Sequence, residues 1–412
     1  MNCRRKYWYN ATVMNRDSPS AHVGRVERIV NGGWGILRRA DGVVFLTGVL
    51  PQERVRYRVR ERSRGVLWGE LLEVEEPSPD RREPPCSHFG HCGGCTFQHM
   101  AFPRQLGIKK EIFAEDFRRI AGIEMGGLES VSSPPFAYRV RARFKAAPGG
   151  RIGFVRKGTT RVLPLDRCLL VVDEINEFLG RWNARERPPF FHQLDVLWNP
   201  TRRKTWVHLS PPPGPRALDF LRGFDGVGFI WKGCGDEGVS SMTAGRHEYS
   251  VSPAVFFQVN RFMWAALQTE VDSHLRPVNS ALDLYSGVGF FLPSLLARAR
   301  RVTAVEQEGQ AVELLRRRFP SVSTIVSPLE KCTLPRVDVA IVDPPRSGLS
   351  QRVLREIAAR RIPRLIYVSC ASATLARDVA WLGGRGYKLQ GVRTLDQFPQ
   401  TPHLESVSLL EL

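Results

Sequence analysis

Apolar and polar residues alternate in short runs over the first part of the chain, with the two-residue period of β-strands. Turn residues such as Asn31-Gly32-Gly33 and Asp41-Gly42 separate the runs. Strands are expected at 23–30, 36–39, 43–46, 55–59 and 66–74. Short strands packed so closely along the chain are typical of a small barrel of the OB type. We expect this barrel at residues 22–80, after a flexible tail at 1–21.

Two of the strand patterns place basic residues at alternate positions. The first carries Arg54, Arg56, Arg58 and Arg60, and the second, Tyr138–Ala147, carries Arg139, Arg141, Arg143 and Lys145. Successive strand side chains point to opposite faces, so each strand should have one apolar face and one cationic face. Like charges on one face repel each other unless a polyanion covers them. Both strands are therefore predicted to follow the phosphate backbone of RNA, and for the second strand the alternative is an ordinary solvated face.

From about residue 281 strands alternate with helices. Strands are predicted at 281–285, 302–306, 323–326, 337–342, 365–369, 387–395 and 404–410, and helices at 291–300, 310–319, 351–360 and 373–382. This order predicts an α/β fold with a doubly wound sheet, closed by two antiparallel strands without a helix between them. We place this domain at 256–412 and a central α+β domain at 81–255. A helix near 103–120 is expected to pack on the catalytic domain.

The charge of the chain favours a polyanionic partner, because its 412 residues carry a formal net charge of +19. Nucleic acid and anionic membrane surfaces both attract such a protein. No apolar run approaches the ~20 residues that span a bilayer, and the basic start of the chain lacks the apolar segment of a secretory signal. We therefore expect a cytoplasmic protein without membrane segments, acting as a monomer.

Three motifs carry candidate chemistry. Asp343-Pro344-Pro345-Arg346 follows one predicted strand and Cys370 ends another, which is where open α/β sheets place their reactive groups. Cys370 precedes a helix whose N-terminus favours a thiolate, so it is a candidate nucleophile, the alternative being a buried structural cysteine. Asp343 is expected to face the cleft, unless Asp-Pro-Pro is a simple turn. Glu405 is the candidate base through its pairing with Cys370.

The segment Asp283–Gly289 joins the first strand of this sheet to its helix. Its two glycines let the backbone approach a ligand, and Glu306 at the tip of the next strand can hold two ribose hydroxyls. Dinucleotide enzymes and methyltransferases share these features. Asp283 and the absence of a third glycine favour S-adenosylmethionine, which has no pyrophosphate to cradle.

Four of the eight cysteines form a second constellation, Cys86, Cys92, Cys95 and Cys168. Four thiolates can hold either a zinc ion or an iron–sulfur cluster, and the spacing does not decide between them. Without a visible export signal, such metal or catalytic roles are favoured over disulfides.

From Val23 to Leu412 the chain resembles the RNA uracil-C5 methyltransferases, which make 5-methyluridine. The matching motifs are Phe256–Asn260, Asp283–Gly289, Asp343–Gly348, Tyr367–Cys370, Thr374–Asp378 and Phe398–Glu405. The resemblance is strongest to the members that modify 23S ribosomal RNA. Those members begin with a TRAM domain, an OB-like RNA-binding barrel, and hold a [4Fe–4S] cluster in a central domain.

The resemblance implies a role for each candidate residue. Cys370 falls on the nucleophile and Glu405 on the base. The S-adenosylmethionine positions are Gln258, Tyr285, Glu306 and Asp343, and the cluster ligands are Cys86, Cys92, Cys95 and Cys168. Some positions depart from the family pattern: Phe290 and Pro328 stand where related enzymes often have polar cofactor contacts, and Ala371-Ser372 replaces the usual Asn-Pro.

Four other functions remain as alternatives. One is an unrelated redox use of the cluster, which has no substrate-pocket motif to support it. The other three concern RNA. Transfer RNA uridine methylation is the first, but members of that kind usually lack the barrel and the cluster. RNA cytosine-C5 methylation would call for a further cysteine near the Asp-Pro-Pro loop, where this chain has Arg346. A non-catalytic RNA-binding or assembly protein would have no need of both Cys370 and Glu405.

Overall fold

The computed structural model describes residues 21–186, 188–232, 234 and 238–412. Within them the chain forms two compact units. The first takes in the described residues up to Ile112 together with Arg156–Gly158 and Gln400–Pro402. The second comprises Phe113–Val155, Thr159–Pro399 and His403–Leu412. The domain boundaries at 80/81 and 255/256 expected from the sequence stay predictions.

The first unit is built on one six-stranded sheet. Its strands are β1 (His22–Arg25), β2 (Arg28–Val30), β3 (Trp34–Arg39), β4 (Gly42–Leu46), β5 (Arg54–Ser63) and β6 (Val66–Glu76), in the order β1-β5-β6-β4-β3-β2. Only Val26 and Glu27 join the two edge strands, so the sheet curls on itself around a buried core. The sequence pattern predicted β1 and β2 as one strand. They are separate because the Val26 amide leaves the ladder and donates to the carbonyl of Glu53.

The first of two large sheets in the second unit is antiparallel except at one edge. Helix α1 (Phe102–Asp116), a π-helical turn (Phe117–Ala121) and strand β7 (Ser130–Val131) precede it along the chain. Its strands are β8 (Arg141–Ala146), β9 (Ile152–Val155), β10 (Val162–Pro164), β11 (Gln193–Asn199), β12 (Lys204–Ser210) and β13 (Val227–Ile230), in the order β10-β9-β8-β11-β12-β13. Helices α2 (Asp173–Asn183) and α3 (Pro215–Arg222) accompany this sheet, and the hairpin β14 (Ser240–Ala244) and β15 (His247–Val251) follows it. Phe144 of β8 lies in the same buried hydrophobic core as Phe178 and Trp182 of α2, so the apolar face predicted for that strand is buried.

The second large sheet has eight strands. They are β7 with β16 (Val278–Leu284), β17 (Ala299–Glu306), β18 (Ser323–Val326), β19 (Val339–Val342), β20 (Arg364–Ser369), β21 (Lys388–Leu395) and β22 (Glu405–Glu411), in the order β18-β17-β16-β19-β20-β22-β21-β7. The helices are α4 (Trp264–Ser273), α5 (Leu292–Leu296), α6 (Gly309–Arg318), α7 (Gln351–Arg360) and α8 (Ser372–Gly383). Strands β16 to β20 run parallel, and β22 is antiparallel to β20 and β21. None of the helices in the described ranges is long and apolar enough to cross a membrane.

The predicted doubly wound sheet with an antiparallel closing hairpin is confirmed, with local differences. The helix predicted at 291–300 is the much shorter α5, because the chain already re-enters the sheet at Ala299. The amide of Val278 pairs with the carbonyl of Arg298, which extends both strands toward their amino ends. Strand β7 lacks a sequence signal because it has only two residues and pairs with β21 across a long separation.

Candidate active site

The carboxyl ends of the parallel strands bring the predicted reactive groups to one edge of the eight-stranded sheet. Tyr285 follows β16, Glu306 ends β17, Asp343 follows β19 and Cys370 follows β20. Glu405 begins β22, whose antiparallel register pairs Ser406 with Ser369. Cys370 and Glu405 are the adjoining residues of that register, and the charge of Glu405 acts on the Cys370 thiol.

Burial makes the Cys370 thiol a weak acid. It raises the pKa of Cys370 from 9.0 to about 12, and the carboxylates of Glu405 and Asp343 add to the rise. This rise corresponds to about 4 kcal/mol, whereas a helix N-terminus contributes about 0.3–1 kcal/mol. Helix α8 begins at Ser372, one residue before the predicted start. Burial of the thiol thus opposes the thiolate form that the helix N-terminus favours.

Arg346 is the cation that opposes this effect, and the sequence patterns did not single it out. Its guanidinium lowers the pKa of Cys370 through its charge and a hydrogen bond, and it lowers the pKa of Glu405 through its charge. Its place three residues after Asp343 in the Asp-Pro-Pro-Arg motif is the signal that could have identified it. The site therefore contains a thiol, two carboxyl groups and one guanidinium.

Glu405 is suited to accept a proton. Its side chain is 5% exposed, and burial together with the charge of Asp343 raises its pKa well above the usual value. In the described part of the chain, its Oε1 atom has no hydrogen-bond partner. A buried carboxylate with a raised pKa is a stronger base than one in water.

Asp343 is held by an amide relay. Burial raises its pKa to about 7, and the Gln258 amide opposes that rise by donating to Asp343 Oδ2 at 3.3 Å. Gln397, which sequence reasoning missed, donates to Gln258 Oε1 at 3.0 Å. The amide group of Gln258 therefore has its NH₂ side directed at Asp343, which favours the carboxylate form.

A cavity of about 370 Å³ is lined by Tyr285 and Glu306 and by residues 347–351. Tyr285 has a φ of 61°, a left-handed conformation uncommon outside glycine, at the sharp turn after β16. The Glu306 carboxylate accepts hydrogen bonds from the amides of Gly287, Gln307 and Glu308 at 2.8–2.9 Å. These bonds fix the carboxylate at the rim of the cavity while leaving lone pairs free to accept further hydroxyl groups.

Asp283 tests whether this region fits a cationic nucleotide-like ligand. The side chain is 1% exposed, and within the described residues neither carboxylate oxygen has a hydrogen-bond partner. Burial and the charges of Asp343 and Glu306 raise its pKa well above the usual value. Three neighbouring carboxyl groups are stabilised by a positively charged ligand. These residues, including the predicted positions Gln258, Tyr285, Glu306 and Asp343, fit S-adenosylmethionine, a sulfonium cation that carries a ribose.

The three departures from the family pattern are accommodated locally. Phe290 is 6% exposed and stacks on Tyr249 with ring centroids 5.5 Å apart, so its side chain belongs to the core. Pro328 precedes a 3₁₀ turn at Leu329–Lys331. In place of the usual Asn-Pro, the hydroxyl of Ser372 donates to Asp116 at 2.5 Å, which tethers the first turn of α8.

The predicted cluster cysteines occur in both units, with Cys86, Cys92 and Cys95 in the first and Cys168 in the second. The Cys92 sulfur accepts a hydrogen bond from the amide of Gly94 at 3.4 Å. Over the described ranges, no three His, Cys, Asp or Glu side chains are arranged to hold a metal ion. The structure therefore does not show the predicted metal site over these residues, and no step of the chemistry below depends on a metal.

The basic strand predicted to contact RNA is only partly open. Arg141 is 7% exposed and donates to the carbonyls of Pro253 and Val255, while Arg143 donates to Asp195 at 2.7 Å. Arg143 nevertheless keeps 59% of its side chain exposed. A cleft of about 430 Å³ is lined by Arg139, Arg141, Arg143, Asp195, Phe256 and Glu308. The prediction that all four basic side chains share one open face is therefore wrong for Arg141.

The arginines of β5 face acidic residues on β6. Arg54 lies 3.0 Å from Glu75, and Arg56 and Arg60 form ion pairs with Glu73 and Glu70. These pairs follow from the antiparallel register, which sets the basic residues of one strand beside the acidic residues of the other. The outer face of this sheet is thus a ladder of opposite charges.

Known RNA methyltransferases are similar to this chain over almost its whole length. A family model described as tRNA (Uracil-5-)-methyltransferase matches residues 328–412. The 23S rRNA (uracil(1939)-C(5))-methyltransferase RlmD of Alkalilimnicola ehrlichii is 32% identical, over 92% of this chain and 94% of the relative. An uncharacterized RNA methyltransferase of Aquifex aeolicus is 30% identical, over 94% of this chain and 97% of the relative.

One solved structure shares the fold. It is the tRNA (uracil-54, C5)-methyltransferase of Pyrococcus abyssi in complex with S-adenosyl-L-homocysteine, with a TM-score of 0.73 and 24% sequence identity. The similarity covers 94% of this chain and 99% of that protein. The fold described above therefore also occurs in a methyltransferase of known structure.

Proposed function

The chain belongs to the RNA uracil-C5 methyltransferases, enzymes that use S-adenosylmethionine, and on that premise we propose that it converts a uridine of 23S ribosomal RNA to 5-methyluridine. The observation that carries the proposal is the convergence of Cys370, Glu405, Asp343 and Arg346 at one sheet edge. A thiol, a base and a cation in contact are what methylation at a weakly nucleophilic ring carbon requires.

Each side chain has one task in the proposed mechanism. Cys370 adds to C6 of uracil, which places electron density on C5, and Arg346 favours the thiolate that does so. Gln258, Tyr285, Glu306 and Asp343 would hold S-adenosylmethionine, which would supply the methyl group for C5 and leave as S-adenosylhomocysteine. Glu405 then removes the proton left on C5, and elimination of the Cys370 sulfur restores the aromatic ring. A uridine within a helix has to be splayed out before the thiol can reach C6.

The choice of ribosomal RNA rests on relatives and not on the fold. Relatives named as 23S rRNA enzymes are 28–32% identical to this chain. The tRNA enzyme of Pyrococcus abyssi shares the fold over 94% of the chain, so the presence of an N-terminal sheet does not separate the two substrates. Transfer RNA therefore remains the second candidate. We propose that the sheet of β1–β6 is a TRAM domain and that the chain works as a cytoplasmic monomer.

The [4Fe–4S] cluster on Cys86, Cys92, Cys95 and Cys168 is a separate proposal. It is supported by the family resemblance and by the softness of four thiolates, whereas the side-chain arrangement gives no support. Protein purified without oxygen should be brown and contain about four irons per chain. One zinc per chain without acid-labile sulfide would overturn the proposal. Cys168→Ser should lower the yield of folded protein more than the rate of adduct formation.

Covalent trapping tests the catalytic assignment. RNA with 5-fluorouridine should form a stable adduct, because fluorine replaces the proton that Glu405 removes. Cys370→Ala should abolish the adduct, and Glu405→Gln should accumulate methylated RNA still bound to Cys370. An adduct that persists in Cys370→Ala, or normal turnover in Glu405→Gln, would contradict these roles. Absence of any adduct in the unaltered protein would favour a non-catalytic RNA-binding function.

The RNA substrate needs its own measurement. Nucleoside mass spectrometry with site mapping should find one 5-methyluridine missing from 23S ribosomal RNA in cells without this protein. A loss confined to transfer RNA would replace the proposed substrate while leaving the catalytic mechanism intact.

A further inference from the structure

The motif Thr374–Asp378 has no role in the mechanism above. Its side chains nevertheless form hydrogen bonds to the loop of residues 346–349, which carries Arg346. Asp378 is fully buried on α8 and accepts hydrogen bonds from the amide of Leu349 at 2.8 Å and from the hydroxyl of Tyr367 at 2.7 Å. A carboxylate that is buried with several donors is held firmly in one position.

Two neighbours of Asp378 bind the same loop. Arg377 donates to Asp378 at 2.8 Å and also to the carbonyls of Ser347 and Leu349 at 3.0 and 3.1 Å. Thr374 donates to the carbonyl of Arg346 at 3.1 Å. One face of α8 thus binds every residue of the loop from 346 to 349 except the glycine between them.

That glycine shows how closely the loop and the helix fit. Gly348 has a φ of 71°, and a methyl group at its Cα would lie 2.7 Å from Arg377 Nη2 and 2.7 Å from Asp378 Oδ2. Glycine is therefore required both by the backbone conformation and by the space that the two side chains leave. Helix α8 follows Cys370 directly, so the same element positions the thiol and the loop that carries its cation.

We propose that Asp378, with Arg377 and Thr374, is a positioning group that fixes the Arg346 guanidinium between Cys370 and Glu405. The proposal rests on the proposed function only through the roles of Cys370 and Arg346. In Asp378→Asn one carboxylate oxygen becomes an NH₂ group, so either Arg377 or the Leu349 amide with the Tyr367 hydroxyl loses its acceptor. The loop can then move away from the thiol without any loss of a group that touches RNA.

A double-mutant cycle tests this coupling. The measurement is the single-turnover rate of adduct formation with 5-fluorouridine RNA at saturating S-adenosylmethionine, for Asp378→Asn alone and in an Arg346→Ala background. We expect Asp378→Asn to slow the reaction at least tenfold alone and less than twofold in the second background, with RNA affinity unchanged. Equal slowing in both backgrounds, or no slowing in either, would overturn the proposal.

Asp338→Asn is the matched control. The Asp338 carboxylate also accepts several hydrogen bonds, among them those from the amides of Asn279 and Ser280 at 2.9 Å. Asp338 directly precedes β19, at the edge of the sheet where the parallel strands begin, and is therefore away from the thiol. This variant should lose thermal stability and keep at least half of the rate.

If Asp378→Asn does not fold, Gly348→Ala should show the same loss of rate and the same dependence on Arg346. A wild-type rate in Gly348→Ala would contradict the proposal that Asp378, Arg377 and Thr374 position the loop of Arg346. If the unaltered protein forms no adduct with 5-fluorouridine RNA, the proposed function itself is refuted.

Discussion

Strands β5 and β8 have the same alternation of basic and apolar residues but hold their arginines differently. On β5, Arg54, Arg56 and Arg60 each pair with a glutamate of β6. On β8, Arg141 is buried as a structural link, whereas Arg143 pairs with Asp195 and keeps 59% of its side chain exposed. Alternation therefore predicts which face a side chain takes, while the neighbouring strand decides whether its charge is available to RNA.

The acidic residues show the same contrast. Glutamates on β6 each lie beside an arginine, whereas Asp283, Asp343 and Glu405 are buried with Arg346 as the cation acting on Glu405. Burial of unneutralised carboxyl groups costs stability, which a protein retains where a ligand or a proton is to be bound. Charge compensation thus distinguishes the structural surface of β5 and β6 from the catalytic cleft.

The largest expected difference between the two strands is in stability. Arg141→Leu should lower the free energy of unfolding by about 3 kcal/mol, because the buried carbonyls of Pro253 and Val255 lose their donor. Arg56→Leu should cost at most about 1 kcal/mol, since exposed ion pairs contribute little. Urea denaturation of both variants measures this. Equal losses in the free energy of unfolding would mean that Arg141 stabilises the fold no more than Arg56 does.

Much of the fold and the position of the candidate site could be predicted from the sequence, but the pairing of charges between strands could not. The doubly wound sheet, the turn at Asp283–Gly289 and the placement of Cys370 follow from local periodicity and strand ends. The pairing of Arg56 with Glu73 and of Cys370 with Glu405 depends on registers between strands, which local patterns do not specify. The raised pKa of Cys370 depends on its burial, which the helix-dipole argument does not include.

The second prediction concerns the uncompensated acids. Because the pKa of Asp343 is raised to about 7, its carboxylate is protonated below that pH and ionised above it. A cationic ligand prefers the ionised form, so S-adenosylmethionine affinity should increase about tenfold between pH 6 and pH 8. Calorimetric titration should show this change in the unaltered protein and not in Asp343→Asn. Glu73→Gln on the compensated ladder is the control and should keep the full pH dependence.

The third prediction asks whether β8 contacts RNA. Arg143→Gln with Lys145→Gln should weaken RNA binding and reduce the log–log salt slope by about 1.4, or 0.7 for each lost phosphate contact with single-stranded RNA. S-adenosylmethionine affinity should be unchanged, because neither residue lines the cavity of Tyr285 and Glu306. Filter binding at several salt concentrations measures the slope. An unchanged slope would show β8 to be an ordinary solvated face.

The smallest expected effect comes from converting β5 into a strand like β8. Glu73→Gln with Glu75→Gln removes the acids nearest to Arg56 and Arg54 and leaves both guanidinium groups in place, with Glu76 still 3.9 Å from Arg54. If charge compensation is what keeps β5 from RNA, the freed arginines should tighten RNA binding by about two- to threefold at moderate salt and steepen the salt slope by at most about 1.4. Adding Arg54→Gln and Arg56→Gln to the same protein should return both quantities to the starting values. An unchanged affinity in the glutamate double variant would mean that the location of β5, and not its paired charges, excludes it from the RNA path. Weaker binding would contradict the comparison directly, because Glu73 and Glu75 would then support RNA binding.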